Sequence, residues 1–139
     1  MKKITTLSLL LLLAAPSFAI GPTQTAANSL ETFWQTFKAA VTKRDVNTVA
    51  RMSKFPIDMS YGIPSVKTKA QLSRRYRQVF NEQTNAAVCF AKAKPEADTE
   101  DPKHFTIACP DAAGNEVVVY HFRQTKTGWK FTGLDNLNE

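Results

Sequence analysis

The feature that most constrains the fold is a change in the spacing of apolar residues near Asn85. Before it, apolar residues recur at helical intervals. The first helix is predicted to start with Ser29 as its N-cap, and its apolar stripe consists of Leu30, Phe33, Trp34, Phe37 and Val41. After it, four apolar runs bounded by turn residues read as strands, at 86–93, 103–109, 116–124 and 128–134. This order predicts an α+β domain, in which three N-terminal helices pack in a strongly curved antiparallel sheet.

A short second helix is predicted directly after the first. Asp45 is a suitable N-cap, and the apolar face consists of Val46, Val49 and Met52. Phe55-Pro56 is expected to end this helix, because a residue before proline is disfavoured in the α region. Residues 57–66 alternate loosely and contain a glycine and a proline, so they read as two short strands or one bent hairpin.

A third helix is predicted with a strongly basic outer side. Thr68 and Gln71 have the spacing of a capping box, which starts a helix that extends to about Asn81. Its apolar side consists of Leu72, Tyr76, Val79 and Phe80. The densest cluster of cations in the chain lies on and just before this helix: Lys67, Lys69, Arg74, Arg75 and Arg77. Such a patch can attract an acidic partner, although an exposed helix face is often simply solvated.

The first nineteen residues have the pattern of a bacterial signal peptide. Lys2 and Lys3 precede an apolar stretch over 7–15, and Ser17-Phe18-Ala19 places small residues at the cleavage positions. We expect cleavage after Ala19, a polar lead-in over 20–28, and one domain over 29–139 in the periplasm or outside the cell. No later apolar run approaches the roughly 20 residues of a membrane span.

Charge and composition restrict the partners. The net charge of +6 falls to +4 once Lys2 and Lys3 are removed with the leader. A mildly basic exported chain is suited to anionic surfaces such as lipid head groups or wall polymers. Neither the expected compartment nor any motif favours nucleic acid. No cofactor motif is present, so none is expected.

The two cysteines predict a disulfide. If 86–93 and 103–109 form a hairpin around the loop from Pro95 to Pro102, Cys89 lies opposite Cys109 on the neighbouring strand. An oxidising compartment favours the bond, and closing a loop of about 20 residues would contribute roughly 3 kcal/mol. A redox-active pair is disfavoured, because such a pair usually shows C-x-x-C spacing.

Metal binding would be a different use of the same segment. Zinc could use both cysteines with His104 and His121, but these histidines lack ligand spacing. The acidic residues between Glu96 and Asp101 lack a regular calcium-loop pattern, so a solvated loop is favoured over a calcium site. We therefore expect no bound metal.

Three stretches resemble the nuclear transport factor 2-like superfamily. They are FWQTFKAAVTKRDVNTVARMSKFPI at 33–57, VKTKAQLSRRYRQVF at 66–80 and GWKFTGLDN at 128–136. The resemblance covers about 100 residues and implies a cone, in which a curved sheet wraps the first helix and leaves a pocket at its open end. It also implies a possible homodimer through the open sheet face. Members include isomerases, dehydratases and non-catalytic binding proteins, so the fold does not decide the function.

Two functions follow as hypotheses. An enzyme of the isomerase or dehydratase type would need an acid or base in an apolar pocket, and Asp58 and His121 are the weak candidates. The first helix offers Phe33, Trp34 and Phe37 where the resembled isomerases have a tyrosine. We therefore favour a non-catalytic binding module for a small apolar ligand or a periplasmic protein. The ligand pocket would be lined by Tyr61, Tyr76, Tyr120, His121 and Trp129.

Overall fold

The chain forms an α+β domain. A computed structural model describes residues 22–60, 62–111, 113–114 and 117–137; the predicted signal peptide and Tyr61 lie outside these ranges. The elements are α1 (Pro22–Thr42), α2 (Val46–Arg51), β1 (Ser53–Met59), α3 (Lys69–Phe80), α4 (Ala86–Lys92), β2 (Glu96–Ala97), β3 (His104–Pro110), β4 (Val117–Thr125) and β5 (Gly128–Asn136). Among the described helices, none has both the length and the apolar character needed to cross a membrane.

The strands form one unclosed, curved sheet with the order β1-β5-β4-β3-β2. β3, β4 and β5 are three of the four strands of the antiparallel meander that the sequence predicts. β1 joins β5 in parallel at one edge, and β2 adds two residues antiparallel to β3 at the other. The predicted fold class is confirmed, with β1 inserted between the second and third helices and with a fourth helix added.

The first helix begins earlier than predicted. α1 starts at Pro22, so Ser29 lies inside the helix and is not its N-cap. Proline is well tolerated in a first helical turn, where its missing N–H would have no partner. The predicted stripe is correct, because Trp34, Phe37 and Val41 are buried.

The second helix is capped as predicted but ends sooner. The Asp45 carboxylate accepts the Thr48 N–H at 3.1 Å. α2 ends at Arg51, and Phe55-Pro56, which has a cis peptide bond, lies inside β1 and does not terminate the helix. Proline is acceptable there because β1 is an edge strand, which needs fewer ladder hydrogen bonds. After β1 the polypeptide folds back, and Val66 forms an isolated antiparallel bridge with Ile57.

The third helix agrees with the prediction. The Thr68 hydroxyl accepts the Gln71 N–H at 3.2 Å, while the Gln71 side chain accepts the N–H of Lys67, one residue before the position expected for a capping box. The predicted apolar side is buried: Leu72, Tyr76, Val79 and Phe80. The outer side of α3 is therefore held on a rigid, well-packed base.

The predicted strand over 86–93 is wrong, because this segment forms α4. Asn85 caps the helix by accepting the Val88 N–H at 3.2 Å. Ala86 and Phe90, one turn apart, are both fully buried, and alanine has the highest intrinsic helix propensity. The capping bond and this helical spacing outweigh the β propensity of Val88 and Phe90.

The disulfide between Cys89 and Cys109 is present, with Cα atoms 5.8 Å apart. The predicted pairing is therefore confirmed, but its geometric reason is wrong. Cys89 lies on α4 and Cys109 on β3, so the bond ties a helix to the sheet.

Alternation along the strands separates two faces of the sheet. Phe105, Ile107 and Cys109 of β3 are fully buried, whereas the residues between them are half-buried or exposed. We call the side that packs against α1 the inner face, because Phe33 and Trp34 contact Phe105 there. The opposite side is the outer face.

Candidate functional site

The inner face is filled by aromatic side chains. Phe37 of α1 contacts Phe122 of β4 with ring centroids 5.1 Å apart, and Phe105 stacks on Phe122 at 4.6 Å. Phe90 of α4 meets Tyr120 edge to face at 4.9 Å. These rings are fully buried and occupy the space between the helices and the sheet. The packing is that of a core, in which aromatic pairs contribute through burial and ring geometry.

The four predicted pocket residues that the structure describes, Tyr76, Tyr120, His121 and Trp129, do not converge on one site. The Tyr76 hydroxyl donates to the Val41 carbonyl and the Tyr120 hydroxyl to the Val79 carbonyl, each at 3.1 Å. Burial raises the pKa of Tyr76 to about 12. Trp129 is also buried, and its indole Nε1 has no hydrogen-bond partner. His121 points to the outer face, away from these three residues.

The outer face holds a hydrogen-bonded chain of three side chains. Asp98 Oδ2 lies 3.1 Å from Nδ1 of His104, and Nε2 of His104 lies 3.1 Å from Nδ1 of His121. β3 and β4 supply the two histidines, and their register makes the rings diagonal neighbours, since His121 pairs with Thr106. The last atom of this hydrogen-bonded series of side chains is Nε2 of His121.

A shallow depression in the surface lies at the His121 end of this hydrogen-bonded series. Its volume is about 180 Å³, and we call it the outer-face pocket; its lining residues are Asp58, Ser60, His104, His121, Arg123, Thr132, Gly133 and Leu134. The two predicted acid–base candidates, Asp58 and His121, therefore do share a site. That site opens on the face of the sheet opposite the helices.

A β-bulge and a glycine shape the outer-face pocket. His121 pairs with Gly133 and Phe122 with Phe131, so Thr132 is the extra residue and its hydroxyl donates to the His121 carbonyl at 3.1 Å. A Cβ atom at Gly133 would lie 2.8 Å from the carbonyl oxygen of Asp58. Glycine at this position therefore allows β1 to bring Asp58 close to β5.

The electrostatics of the pocket favour a neutral His121. Burial is the largest cause that lowers the pKa of His121, followed by the nearby His104; Asp135 acts in the opposite direction. Hydrogen bonding from His104 is the largest cause that lowers the pKa of Asp98. Arg123 donates to Asp101 at 2.8 Å, so its charge is partly offset, although it also contributes to lowering the pKa of His121.

Sequence reasoning missed Asp98 and His104 as members of one network. The sequence favours a solvated loop around Asp98, yet its Oδ1 accepts the N–H groups of Glu100 and Asp101 and so fixes the turn. The available signal is that His104 and His121 fall at outward positions of adjacent strands. Among the described residues, no group of three or more His, Cys, Asp or Glu side chains is placed to hold a metal ion.

The residues of the predicted basic patch, which we call the basic face of α3, lie on the solvent side of the helix or just before it. It consists of Lys67, Lys69, Arg74, Arg75 and Arg77, of which only Arg75 is half-buried. The sequence from 62 to 81 contains no acidic residue. The ion pairs found within the described ranges, His104–Asp98 and Arg123–Asp101, both lie elsewhere.

A groove of about 450 Å³ lies between α4 and β3 beside the disulfide. Val88, Ala93, Ala108 and Pro110 form its apolar walls, and Val88 is 57% exposed. Sequence reasoning does not find it, because the segment over 86–93 reads as a strand.

No family model and no curated protein matches the sequence. Similar solved structures are nuclear transport factor 2-like proteins. One from Novosphingobium aromaticivorans, with a cystatin-like fold, is 11% identical over 82% of this chain and 82% of its own, with a TM-score of 0.48. A Pseudomonas putida protein of unknown function is 10% identical over 82% of this chain and 86% of its own, with a TM-score of 0.44.

A third similar structure is a candidate dehydratase of the same family from Streptomyces avermitilis. It is 15% identical over 84% of this chain and 96% of its own, with a TM-score of 0.45. These neighbours belong to the superfamily that the sequence resembles. At these identities and TM-scores the similarity indicates no activity for this chain.

Proposed function

We propose that this chain is an exported bacterial interaction module that binds an acidic protein through the basic face of α3. The observation that carries the proposal is the concentration of five cations on and before one helix, in a segment without acidic residues. Like charges this close repel one another, and a carboxylate-rich partner would relieve that repulsion.

The chemistry of the basic face favours a protein partner. Three of its five cations are arginines, whose planar guanidinium groups bind carboxylates through two parallel hydrogen bonds. Arginine is also enriched among the residues that contribute most to protein interfaces. The helix itself is held by its buried side, so binding need not order the backbone first.

The packing of the interior supports an interaction role over a small-ligand role beneath the sheet. Trp34, Phe37 and Phe122 are each at most 1% exposed, and their rings lie 5.1 to 5.9 Å apart in contacting pairs. A ligand there would have to displace well-packed aromatic rings. Such displacement would cost several kcal/mol, as large-to-small changes in cores do.

Two features support the exported location within this proposal. Residues 1–19 have the composition of a cleavable leader. The disulfide between Cys89 and Cys109 would persist in an oxidising compartment and be reduced in most cytoplasms. Export would place the basic face among periplasmic or extracellular proteins.

The test compares two double variants with the same change in charge. Poly-L-glutamate serves as the acidic probe, and vesicles of phosphatidylglycerol test a lipid surface. Arg74→Glu/Arg75→Glu should weaken poly-L-glutamate binding by at least about tenfold, because two attractive contacts become repulsive. Lys43→Glu/Lys126→Glu, at exposed positions outside α3, should change binding by less than about threefold at physiological salt.

The thermal midpoint of both double variants should stay close to that of the wild type, because the altered side chains lie outside the core. Equal loss in both variants would mean that only net charge matters and would contradict a role for the basic face. Binding to the vesicles without binding to poly-L-glutamate would contradict an acidic protein partner and indicate an anionic membrane surface.

A further inference from the structure

The hydrogen-bonded chain on the outer face fixes which ring nitrogens carry protons. An ionised Asp98 can only accept, so Nδ1 of His104 must donate to it. With both imidazoles neutral, Nε2 of His104 then has a lone pair and accepts from Nδ1–H of His121. Nε2 of His121 is left without a proton, as an acceptor at the outer-face pocket.

Asp58, Ser60 and Thr132 of the outer-face pocket can accept hydrogen bonds as well, whereas Arg123, which also lines the pocket, is a donor that is already bonded to Asp101. Asp58 contributes a carboxylate, and Ser60 contributes a hydroxyl. The Thr132 hydroxyl already donates its proton to the His121 carbonyl, so its lone pairs remain available. A ligand that satisfies these groups must therefore supply hydrogen-bond donors.

The charge around the outer-face pocket is negative when the histidines are neutral. Asp58 lies on β1, Asp98 and Asp101 precede β3, and Asp135 lies on β5. The positive charge on β4 is Arg123, which is paired with Asp101. Lys130 of β5 uses its ammonium group to donate to the Arg51 carbonyl.

We propose that the outer-face pocket binds a protonated primary amine, either a free alkylamine or a lysine side chain of another protein. An ammonium group provides three donors and one positive charge, which complements acceptors at Asp58, His121 and Thr132. The volume of about 180 Å³ accommodates an ammonium group with a short alkyl chain. This site is independent of the basic face of α3, so either proposal can fail alone.

Binding should be controlled by a single proton. One proton added to the histidine pair can reside on His121, or it can reside on His104 and reverse the hydrogen bond between the rings. In both cases Nε2 of His121 carries a proton and becomes a donor, and the pocket gains a positive charge. An ammonium ligand is then repelled, so acidification should release it.

The experiment uses NMR of the full mature chain with uniform ¹⁵N labelling, which reports both the backbone amides and the histidine ring nitrogens. At pH 7.5, n-propylammonium should give saturable shifts at Asp58, His121 and Thr132, and the His121 Nε2 resonance should be that of an unprotonated nitrogen. Tetramethylammonium carries the same charge without N–H donors and should bind at least about tenfold more weakly. Equal binding of the two cations would overturn the proposal.

Two variants distinguish a residue that contacts the ligand, Asp58, from one that positions His121, namely His104. Asp58→Asn should weaken n-propylammonium binding by about tenfold, whereas Glu82→Gln, an exposed carboxylate outside the pocket, should leave it unchanged. His104→Asn should weaken binding and also shift the His121 nitrogens toward a mixture of tautomers, a signature that general destabilisation would not produce. Unchanged binding in Asp58→Asn would contradict the site.

The source of the amine is resolved by a second ligand series. A capped tripeptide with a central lysine is compared with n-propylammonium and with the same peptide carrying norleucine. Tighter binding of the lysine peptide indicates a protein lysine, and tighter binding of the free amine indicates a small molecule. Loss of both ligands at pH 5.5 is expected from the added proton, and retained affinity at that pH would refute the histidine control.

Discussion

Adjacent residues of β3 and β4 face two very different environments. On the inner face, Phe105 and Phe122 are fully buried and stack with centroids 4.6 Å apart. On the outer face, His104 and His121 are half-buried and share a hydrogen bond of 3.1 Å. The backbone that positions both pairs is the same, because side chains alternate between the faces of a strand.

A polar network can be held in place at little cost when it shares its backbone with a packed core. Apolar burial on the inner face fixes the strands, at roughly 25 cal/mol per Å² of buried apolar area. His104 and His121 are held in position because they lie on the same strands, although they contribute little to the free energy of unfolding themselves. The inner face should therefore dominate unfolding measurements, and the outer face should dominate ligand and pH measurements.

The largest effect is expected from removing an inner ring. Phe122→Ala should lower the free energy of unfolding by about 3–5 kcal/mol, because it deletes a buried ring and leaves a cavity. Thr106→Ala, at an outer position of the neighbouring strand, should cost about 1 kcal/mol or less. Chemical denaturation of both variants provides the measurement, and similar costs would remove the distinction between the faces.

The disulfide should have the next largest effect, because it anchors α4 to the inner residue Cys109. Replacing both cysteines by serine should cost about 3 kcal/mol, the value expected for a closed loop of this length. Denaturation with and without reductant should show the same loss in the wild type and none in the double variant. If reductant also destabilised the double variant, its effect on the wild type could not be assigned to the Cys89–Cys109 bond.

The cysteine pair also shows what sequence can and cannot predict. The pairing is predictable because a chain with two cysteines has one intramolecular option. The hairpin geometry is wrong because 86–93 is too short for helical periodicity to be detected, and Val88 and Phe90 suggest a strand although four of the eight residues are alanine. A single cap at Asn85 and the burial of Ala86 and Phe90 decide the outcome.

Longer elements are predictable because their patterns repeat. The buried side of α3 and the three meander strands follow from spacing alone, with ends shifted by one or two residues. The Asp98–His104–His121 chain is not predictable, since it depends on the β3–β4 register and on a loop that folds back. Asp58 and His121 are both candidates from sequence, but their placement on the outer face requires the pairing of β1 with β5.

Gly133 is where the outer face should be least tolerant. Gly133→Ala should cost about 1–3 kcal/mol, because the new Cβ atom would press against the Asp58 carbonyl and separate β1 from β5. Thr132→Ala, which removes one hydrogen bond and adds no atoms, should cost roughly 0.5–1.5 kcal/mol. Thermal denaturation compares the two variants, and a Gly133→Ala protein as stable as the wild type would mean that the two strands can separate freely.

The smallest expected effect is a pH dependence of stability that belongs to the outer face. Burial lowers the folded-state pKa of His121 below its ordinary value of 6.5, so the unfolded chain takes up a proton first as the pH falls. The stability contributed by neutral His121 is therefore fully present above about pH 6.5 and is lost progressively toward the lower folded-state pKa. The slope cannot exceed about 1.4 kcal/mol per pH unit for one proton.

His121→Gln should remove this slope, whereas Phe122→Ala should lower stability by a similar amount at every pH between 5 and 8. The measurement is the free energy of unfolding of both variants and the wild type across that range. The decisive quantity is the difference between wild type and His121→Gln, because other titrating groups then largely cancel. The free energy of unfolding of the wild type minus that of His121→Gln should fall as the pH is lowered. If this difference stayed constant or rose on acidification, His121 would not be the group whose protonation changes the stability.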